Sequence, residues 1–260
     1  MANLIEYDAV RKIYNSGDDE VVALEEVSFH VSEGEFLTVV GRSGCGKSTL
    51  LKITSGLLPA TAGAVRVAGE MVRGPLTNIG VVFQAPVLLA WRKALDNVLL
   101  QIEARRLDVA AYRKRALELL ELTGLKGFEG KYPNELSGGM QQRVSISRAL
   151  IHNPPLLLMD EPFGALDAQT RMVMQNDLQA LSLEAGATII FVTHDITEAV
   201  LLADHVVVLS QRPSRLLAKI AIDLPRPRNV FEPFRNEGYE AAYDAVWTEF
   251  RSQIDIGRIH

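Results

Sequence analysis

Residues 41–49 read Gly41-Arg42-Ser43-Gly44-Cys45-Gly46-Lys47-Ser48-Thr49, and no other stretch restricts the fold as strongly. The run fits the pattern G-x-x-x-x-G-K-[ST], follows the apolar segment Phe36–Val40 and opens a helix-like segment. Glycines at these places let backbone N–H groups turn inward around phosphate oxygens, and the helix that follows aims its positive end at the same point. With glycine near 7% per position, a chance match in a chain of this length is about one in a hundred. The spacing therefore predicts a phosphate cradle in which Gly41, Arg42, Ser43, Gly44, Cys45, Gly46, Lys47, Ser48 and Thr49 surround a nucleotide. Lys47 is expected on the β- and γ-phosphates and Ser48 on a Mg²⁺ ion. Cys45 is expected to fill a small slot. The nearby helix N-terminus would also lower its thiol pKa and make it open to alkylation, with ATP protecting it.

The periodicity on either side of this loop is mixed. Val21–Val31 and Phe36–Val40 read as strands joined through Glu33-Gly34-Glu35, Ser48–Leu58 as a helix ending near Gly56, and Val65–Val67 and Ile79–Phe83 as further strands. Residues 94–123 carry a helical period, with Tyr112, Ala116, Leu119, Leu120 and Thr123 on one face. Leu136–His152 predicts another helix, stopped by Asn153-Pro154-Pro155. Strand–helix alternation then resumes. Leu156–Met159, Thr188–Val192 and His205–Ser210 read as strands, with helices over 168–185 and from Asp195. Such alternation favours a parallel sheet covered by helices, here interrupted by a helical block at 84–153. The run Leu224-Pro225-Arg226-Pro227-Arg228 reads as a turn or linker. An amphipathic helix follows, with Tyr243, Val246, Trp247, Phe250 and Ile254 on one stripe that docks on the core.

Three further clusters carry chemistry. Leu156–Met159 runs into Asp160 and Glu161, two carboxylates at a strand end. Asp160 is placed to hold Mg²⁺ through water, and Glu161 to polarise the water that attacks a γ-phosphate. Thr193-His194-Asp195 ends another strand, and His194 is within reach of the same phosphate. Leu136-Ser137-Gly138-Gly139-Met140-Gln141-Gln142-Arg143 reads as a serine N-cap and two glycines opening a helix, a second anion site on a separate block.

That last run is identified with the signature sequence of the ATP-binding-cassette (ABC) proteins, and the chain resembles that family from about residue 4 to 224. The resemblance implies a P-loop NTPase of the α/β class: a RecA-like core, an antiparallel β subdomain and an inserted α-helical signature subdomain. It divides the chain into 1–83, 84–153, 154–224 and a tail, 225–260. Gln84 resembles the Q-loop glutamine, which also touches the metal, and Gly164-Ala165-Leu166-Asp167 resembles the D-loop. His194 resembles the switch histidine, and Tyr14 stands where an aromatic stacks on adenine. The family implies a head-to-tail dimer. In it the ATP and Mg²⁺ on one copy, held by Lys47, Ser48, Gln84 and Asp160 with Glu161 and His194 catalytic, are capped in trans by Ser137, Gly138, Gly139 and Gln142 of the other.

In this family the groove beside the Q-loop, where Gln84–Arg92 carries Trp91, receives a short helix of the transmembrane subunit, and the Asp223–Arg228 and Asp160–Asp167 runs resemble importer ATPases for nitrate, sulfonates and taurine. Their partners are transmembrane permease subunits and, through these, a periplasmic or extracellular solute-binding protein. Composition agrees with a peripheral protein on the cytoplasmic face of the membrane. Net charge is −5, which argues against nucleic acid and against docking on anionic lipid. Cys45 is the sole cysteine, so no internal disulfide forms. MANLIEYDAV lacks the pattern of a signal peptide. No apolar run reaches the ~20 residues of a membrane span; Ala199–Leu209 is interrupted by Asp204 and His205. The alternatives are an ABC ATPase unlinked to transport and, more remotely, a small-molecule kinase. The first usually carries two cassettes or a long coiled-coil insertion, and the second would lack the signature run.

Overall fold

A computed structural model describes residues 3–16 and 19–252. Its centre is a six-stranded sheet in the order β10-β9-β3-β8-β7-β6. The strands are β3 (Phe36–Val40), β6 (Gly80–Val82), β7 (Leu156–Asp160), β8 (Thr188–Thr193), β9 (His205–Leu209) and β10 (Leu216–Ala221). β3, β7 and β8 are buried along their whole length, as strands covered on both faces must be. Alternate residues feed opposite layers. Phe36, Val40, Leu157, Met159, Ile189 and Phe191 join one apolar cluster. Leu37, Val39, Leu156, Leu158, Ile190 and Val192 join the other.

The pairings among β3, β6, β7, β8 and β9 are parallel, as the alternation predicts, while β10 is antiparallel to β9. The reason is chain length: 210–215 is too short for the crossover of a dozen or more residues that a parallel neighbour requires. A second, antiparallel sheet orders β2-β1-β4-β5. It contains β1 (Asn3–Ser16), β2 (Asp19–Ser32), β4 (Ala62–Val67) and β5 (Glu70–Met71). It lies over the second apolar layer with α1 (Lys47–Thr54), since Ile5, Leu24, Val27, Leu50 and Leu51 share that cluster.

The helices differ from expectation at three places. α1 stops at Thr54 rather than near Gly56. Gly56 has a φ of +75° and lies so close to Gly74 that a Cβ would overlap its carbonyl. The single run 94–123 is two helices, α2 (Ala94–Ala104) and α3 (Val109–Leu122), because Asp108 caps a new start by accepting from Ala110 N at 2.9 Å. α4 (Gly138–Leu150) begins after Ser137, whose hydroxyl accepts from Met140 N at 3.3 Å. α5 (Ala168–Ala185) and α6 (Ile196–Leu202) follow expectation, capped by Asp167 and Asp195.

The last helix, α7 (Tyr239–Arg251), docks on α6, β9 and β10. Val246 is fully buried, and Tyr243, Trp247 and Phe250 pack against the core; Ile254 lies outside the described residues. The expected linker is not a passive one. Arg228 is 2% exposed and its guanidinium donates to the carbonyls of Leu224, Val200, Ala203 and Ile222 at 2.6–3.2 Å. Among the described residues no helix is long and apolar enough to cross a membrane.

Candidate functional site

The glycine-rich loop joins β3 to α1 at one end of the parallel strands. Gly44 and Gly46 take φ of +77° and +123°, values costly for any residue with a Cβ. Gly46 also faces Leu24 so closely that a Cβ would sit 2.9 Å from its Cδ2. No side chain caps α1, so its first-turn N–H groups point at the loop without a competing side-chain acceptor. Lys47 is 4% exposed and donates to the carbonyls of Gly41 at 2.7 Å and Arg42 at 3.2 Å. An anion in the loop competes with those carbonyls for the ammonium. Arg42, Ser43, Gly44 and Cys45 line an open depression of about 440 Å³ with Gln211 and Arg212. Tyr14, half exposed, reaches Thr49 with its hydroxyl at 3.2 Å and carries Lys12 over its ring.

Cys45 fills a small buried slot, as expected, while the further expectation of a thiol open to alkylation is corrected. It is 2% exposed, and burial pushes its pKa up, outweighing the pull of Lys47 and the loop N–H groups. The helix N-terminus is present, but desolvation wins.

The carboxylates at the end of β7 meet this loop. The Ser48 hydroxyl donates to Asp160 Oδ1 at 3.0 Å. Asp160 is 6% exposed, and burial pushes its carboxyl up, partly offset by the Ser48 bond. Glu161 is the hub: Gln84 Nε2 donates to its Oε2 at 3.3 Å, His194 Nδ1 lies 3.3 Å from the same oxygen, and Lys47 Nζ lies 3.9 Å from Oε1. Its φ of +44° is costly for a residue with a side chain, about 1–2 kcal/mol. The bond from its N–H to Val192 O at 2.9 Å and the side-chain contacts hold it there. A buried carboxylate beside a hydroxyl is a hard-oxygen pair that suits Mg²⁺, an ion that keeps several waters and takes few protein ligands.

Thus the structure brings Gly41, Lys47, Ser48, Gln84, Asp160, Glu161 and His194 into one connected set. The signature run stands apart on the helical block. Ser137 and Gly138 are exposed at the start of α4, and Gly139 faces Leu166 of the 164–167 loop. Gln142 departs from the expected trans contact. It has no exposed surface, and its Nε2 donates to Phe83 O at 3.0 Å, tying α4 to the residue before Gln84. Five residues, about one and a half helical turns, separate Ser137 from Gln142 and set them on different faces of α4.

Sequence reasoning passed over a buried polar group behind His194. Glu198 is 6% exposed and accepts from Thr193 Oγ1 at 2.6 Å and Gln175 Nε2 at 3.1 Å. Arg171 Nε lies 3.9 Å from Oε1, the oxygen that accepts from Gln175. The available signal was a glutamate on the inward stripe of a short apolar helix.

Residues 24–164 match the ABC transporter family. The taurine import ATP-binding protein of Rhizobium johnstonii is 47% identical over 206 residues, 79% of this chain and 79% of that protein. The nitrate import ATP-binding protein of Synechococcus elongatus is 42% identical over 258 residues, covering 96% and 94%. Among solved structures, a dimeric ATP-binding cassette in a post-hydrolysis state bound to ADP and Pi is similar. It has a TM-score of 0.78 at 34% identity, over 84% of this chain and 98% of that one. Loop, carboxylate pair, signature run and fold agree with these likenesses, and the chain belongs to the ABC transporter family.

Proposed function

We propose that this chain is the ATP-hydrolysing subunit of an importer, working as a head-to-tail pair against membrane subunits. The observation that carries the reading is the convergence of Lys47, Gln84 and His194 on Glu161, beside the Ser48–Asp160 pair. The loop N–H groups and Lys47 bind the phosphates of ATP, and Tyr14 supports the adenine. Ser48, Asp160 and Gln84 hold Mg²⁺, which neutralises charge on the phosphates when bound. Glu161 orients the attacking water and takes its proton; His194 steadies Glu161 and the γ-phosphate side. Ser137, Gly138 and Gly139 of the second copy close the site, and Asp167 caps the helix behind the 164–167 loop.

A surface groove of about 520 Å³ supports the permease partner. Leu57, Leu76, Ile79, Val87, Leu89 and Leu100 give it an apolar floor, and Trp91 stands nearby in sequence, 74% exposed. An apolar groove open to solvent beside an exposed tryptophan suits a protein contact. It leads from the helical block to Gln84, so a membrane subunit seated there would sense the Glu161 cluster. This partner makes the chain peripheral to the membrane. Taurine and nitrate, named for the two relatives, are small solutes that each carry a negatively charged oxygen-bearing group, and a solute of that class is the corresponding cargo, recognised on other subunits.

Glu161→Gln tests the core of the reading. It keeps the contact to Gln84 but cannot accept a proton, so ATP should still bind while turnover falls by about 100-fold or more. The ATP-bound variant should elute as a dimer in size exclusion. A monomer at saturating MgATP, or parental turnover, would count against it.

A further inference from the structure

His194 cannot hold itself in place. Its side chain is 58% exposed and its polar contact with Glu161 is 3.3 Å long; exposed contacts of this type contribute about 0–1 kcal/mol. Where the ring sits is therefore decided by the backbone turn that carries it. The Asp195 carboxylate holds one side of that turn by accepting from Thr197 N and Glu198 N at 2.8 and 3.3 Å, and a single atom ties the turn across His194 itself. Thr193 Oγ1 accepts from Asp195 N at 3.0 Å, spanning His194, and donates to Glu198 Oε2 at 2.6 Å.

Glu198 occupies the third position of α6, where a glutamate ordinarily reaches back to the N–H of the N-cap residue. Here the Asp195 N–H is already taken by Thr193, and the carboxylate turns inward to α5 instead. On α5 it meets Gln175 Nε2 at 3.1 Å and Arg171 at 3.9 Å, and Arg171 also donates to Leu166 O at 3.2 Å. Thr193, Gln175 and Glu198 are 2%, 5% and 6% exposed. A buried carboxylate costs several kcal/mol in desolvation unless its lone pairs are matched, and a plain core side chain would serve packing alone. This chain of contacts runs from the 164–167 loop to the turn of His194 and includes none of residues 41–49 of the phosphate loop.

We propose that Glu198 is a positioning residue: it locks the Thr193–Asp195 turn to α5, and so sets His194 against Glu161 in register with the 164–167 loop. The proposal rests on the reading that His194 acts in hydrolysis. Its consequence is that Glu198 governs the rate of hydrolysis and not the binding of ATP.

The test measures kcat, KM and ATP affinity of the full chain separately. Glu198→Ala and Thr193→Val should each lower kcat by about 10- to 100-fold, with ATP affinity within about twofold of the parent, as expected when a reacting group is misplaced by about 1 Å. The double variant should be no slower than the slower single one, because both cut the same link. Glu198→Gln, which keeps an oxygen for the Thr193 hydroxyl, should restore most of the rate. If Glu198→Ala does not fold, Thr193→Val against Thr193→Ser carries the same comparison, with serine retaining the hydroxyl. Parental kcat in Thr193→Val and Glu198→Ala overturns the proposal, as do fully multiplicative losses in the double variant. His194→Ala separates the two levels. If it hydrolyses ATP at the parental rate, the reading of His194 falls and this proposal with it. If it is inactive while the other variants are normal, only the proposal falls.

Discussion

Replacing Arg228 by methionine keeps most of the side-chain volume and removes every donor. The guanidinium spans the carbonyls of Val200 and Ala203 at the end of α6 and those of Ile222 and Leu224 at the end of the sheet. Its backbone exchanges two hydrogen bonds with Gln179 of α5 at 2.9 and 3.1 Å. Each buried carbonyl left unpaired costs about 1–3 kcal/mol; Ile222 O keeps the Leu224 N–H at 2.8 Å, so the other three would cost roughly 3–9 if nothing moved. Two effects reduce that sum. The charge no longer has to be buried, a cost visible in Arg228 being pulled down to about 10 by burial. The segment after Leu224 can also open to water. Variants that break one side of a buried charged group usually lose about 3–5 kcal/mol, and about 4 is expected here. At about 2–4 °C per kcal/mol for a chain of this size, the thermal midpoint of Arg228→Met should drop by about 8–16 °C. Arg228→Lys should fall between the two, since one ammonium cannot fork across both pairs of carbonyls. Thermal and urea unfolding followed by circular dichroism would measure this. A midpoint within about 2 °C of the parent would refute the assignment of 224–228 as a clamp.

Three more outcomes follow from the geometry. Ser137→Arg should spare ATP binding and abolish hydrolysis in the pair, and it also removes the α4 cap at about 1 kcal/mol; full turnover would remove Ser137 from the shared site. Maleimide should modify Cys45 slowly at neutral pH and quickly in denaturant, because the thiol is buried with its pKa raised; fast labelling of the folded protein would show that the loop opens. His152 is held down to about 4 by burial and by neighbouring Arg105, from an ordinary 6.5. Below 6.5 the unfolded chain takes up the proton first, so stability should fall from about pH 6.5 toward about pH 4 and His152→Gln should flatten that slope. An unchanged slope in the variant would assign the acid sensitivity elsewhere.

How far the site was legible depends on how local its parts are. Lys47 and Ser48 follow the glycines in one continuous loop whose backbone is dictated by residue type, so their placement at the mouth of β3 could be read directly. Asp160, Glu161 and His194 each end an apolar strand, and parallel strands present their ends together. Gln142 was misread because the motif's spacing gives order and not direction; its face on α4 depends on where Phe83 lies. Cys45 was misread for a related reason. The helix dipole is a local property, while the desolvation that overrides it comes from packing between Gly41 and the second apolar layer. The period over 94–123 shows helix but not the break within it, which Asp108 makes by capping α3, because the apolar period continues on both sides.

Sequence alone determined what is encoded within a few residues: the phosphate loop, the strand-end carboxylates, the capped signature helix and the short continuous apolar runs that suit a sheet buried on both faces. Hydrogen-bonding types and periodicities act over one turn or one strand, so they survive without knowledge of the neighbours. Only the tertiary structure decided which of these groups meet. Glu161 became a hub for Lys47, Gln84 and His194. Arg228 became a buried clamp, and Glu198 came to join α5 to the turn that carries His194. Each of those contacts spans a long stretch of chain or two elements, and its strength comes from exclusion of water, which is a property of the packed molecule and of no segment within it.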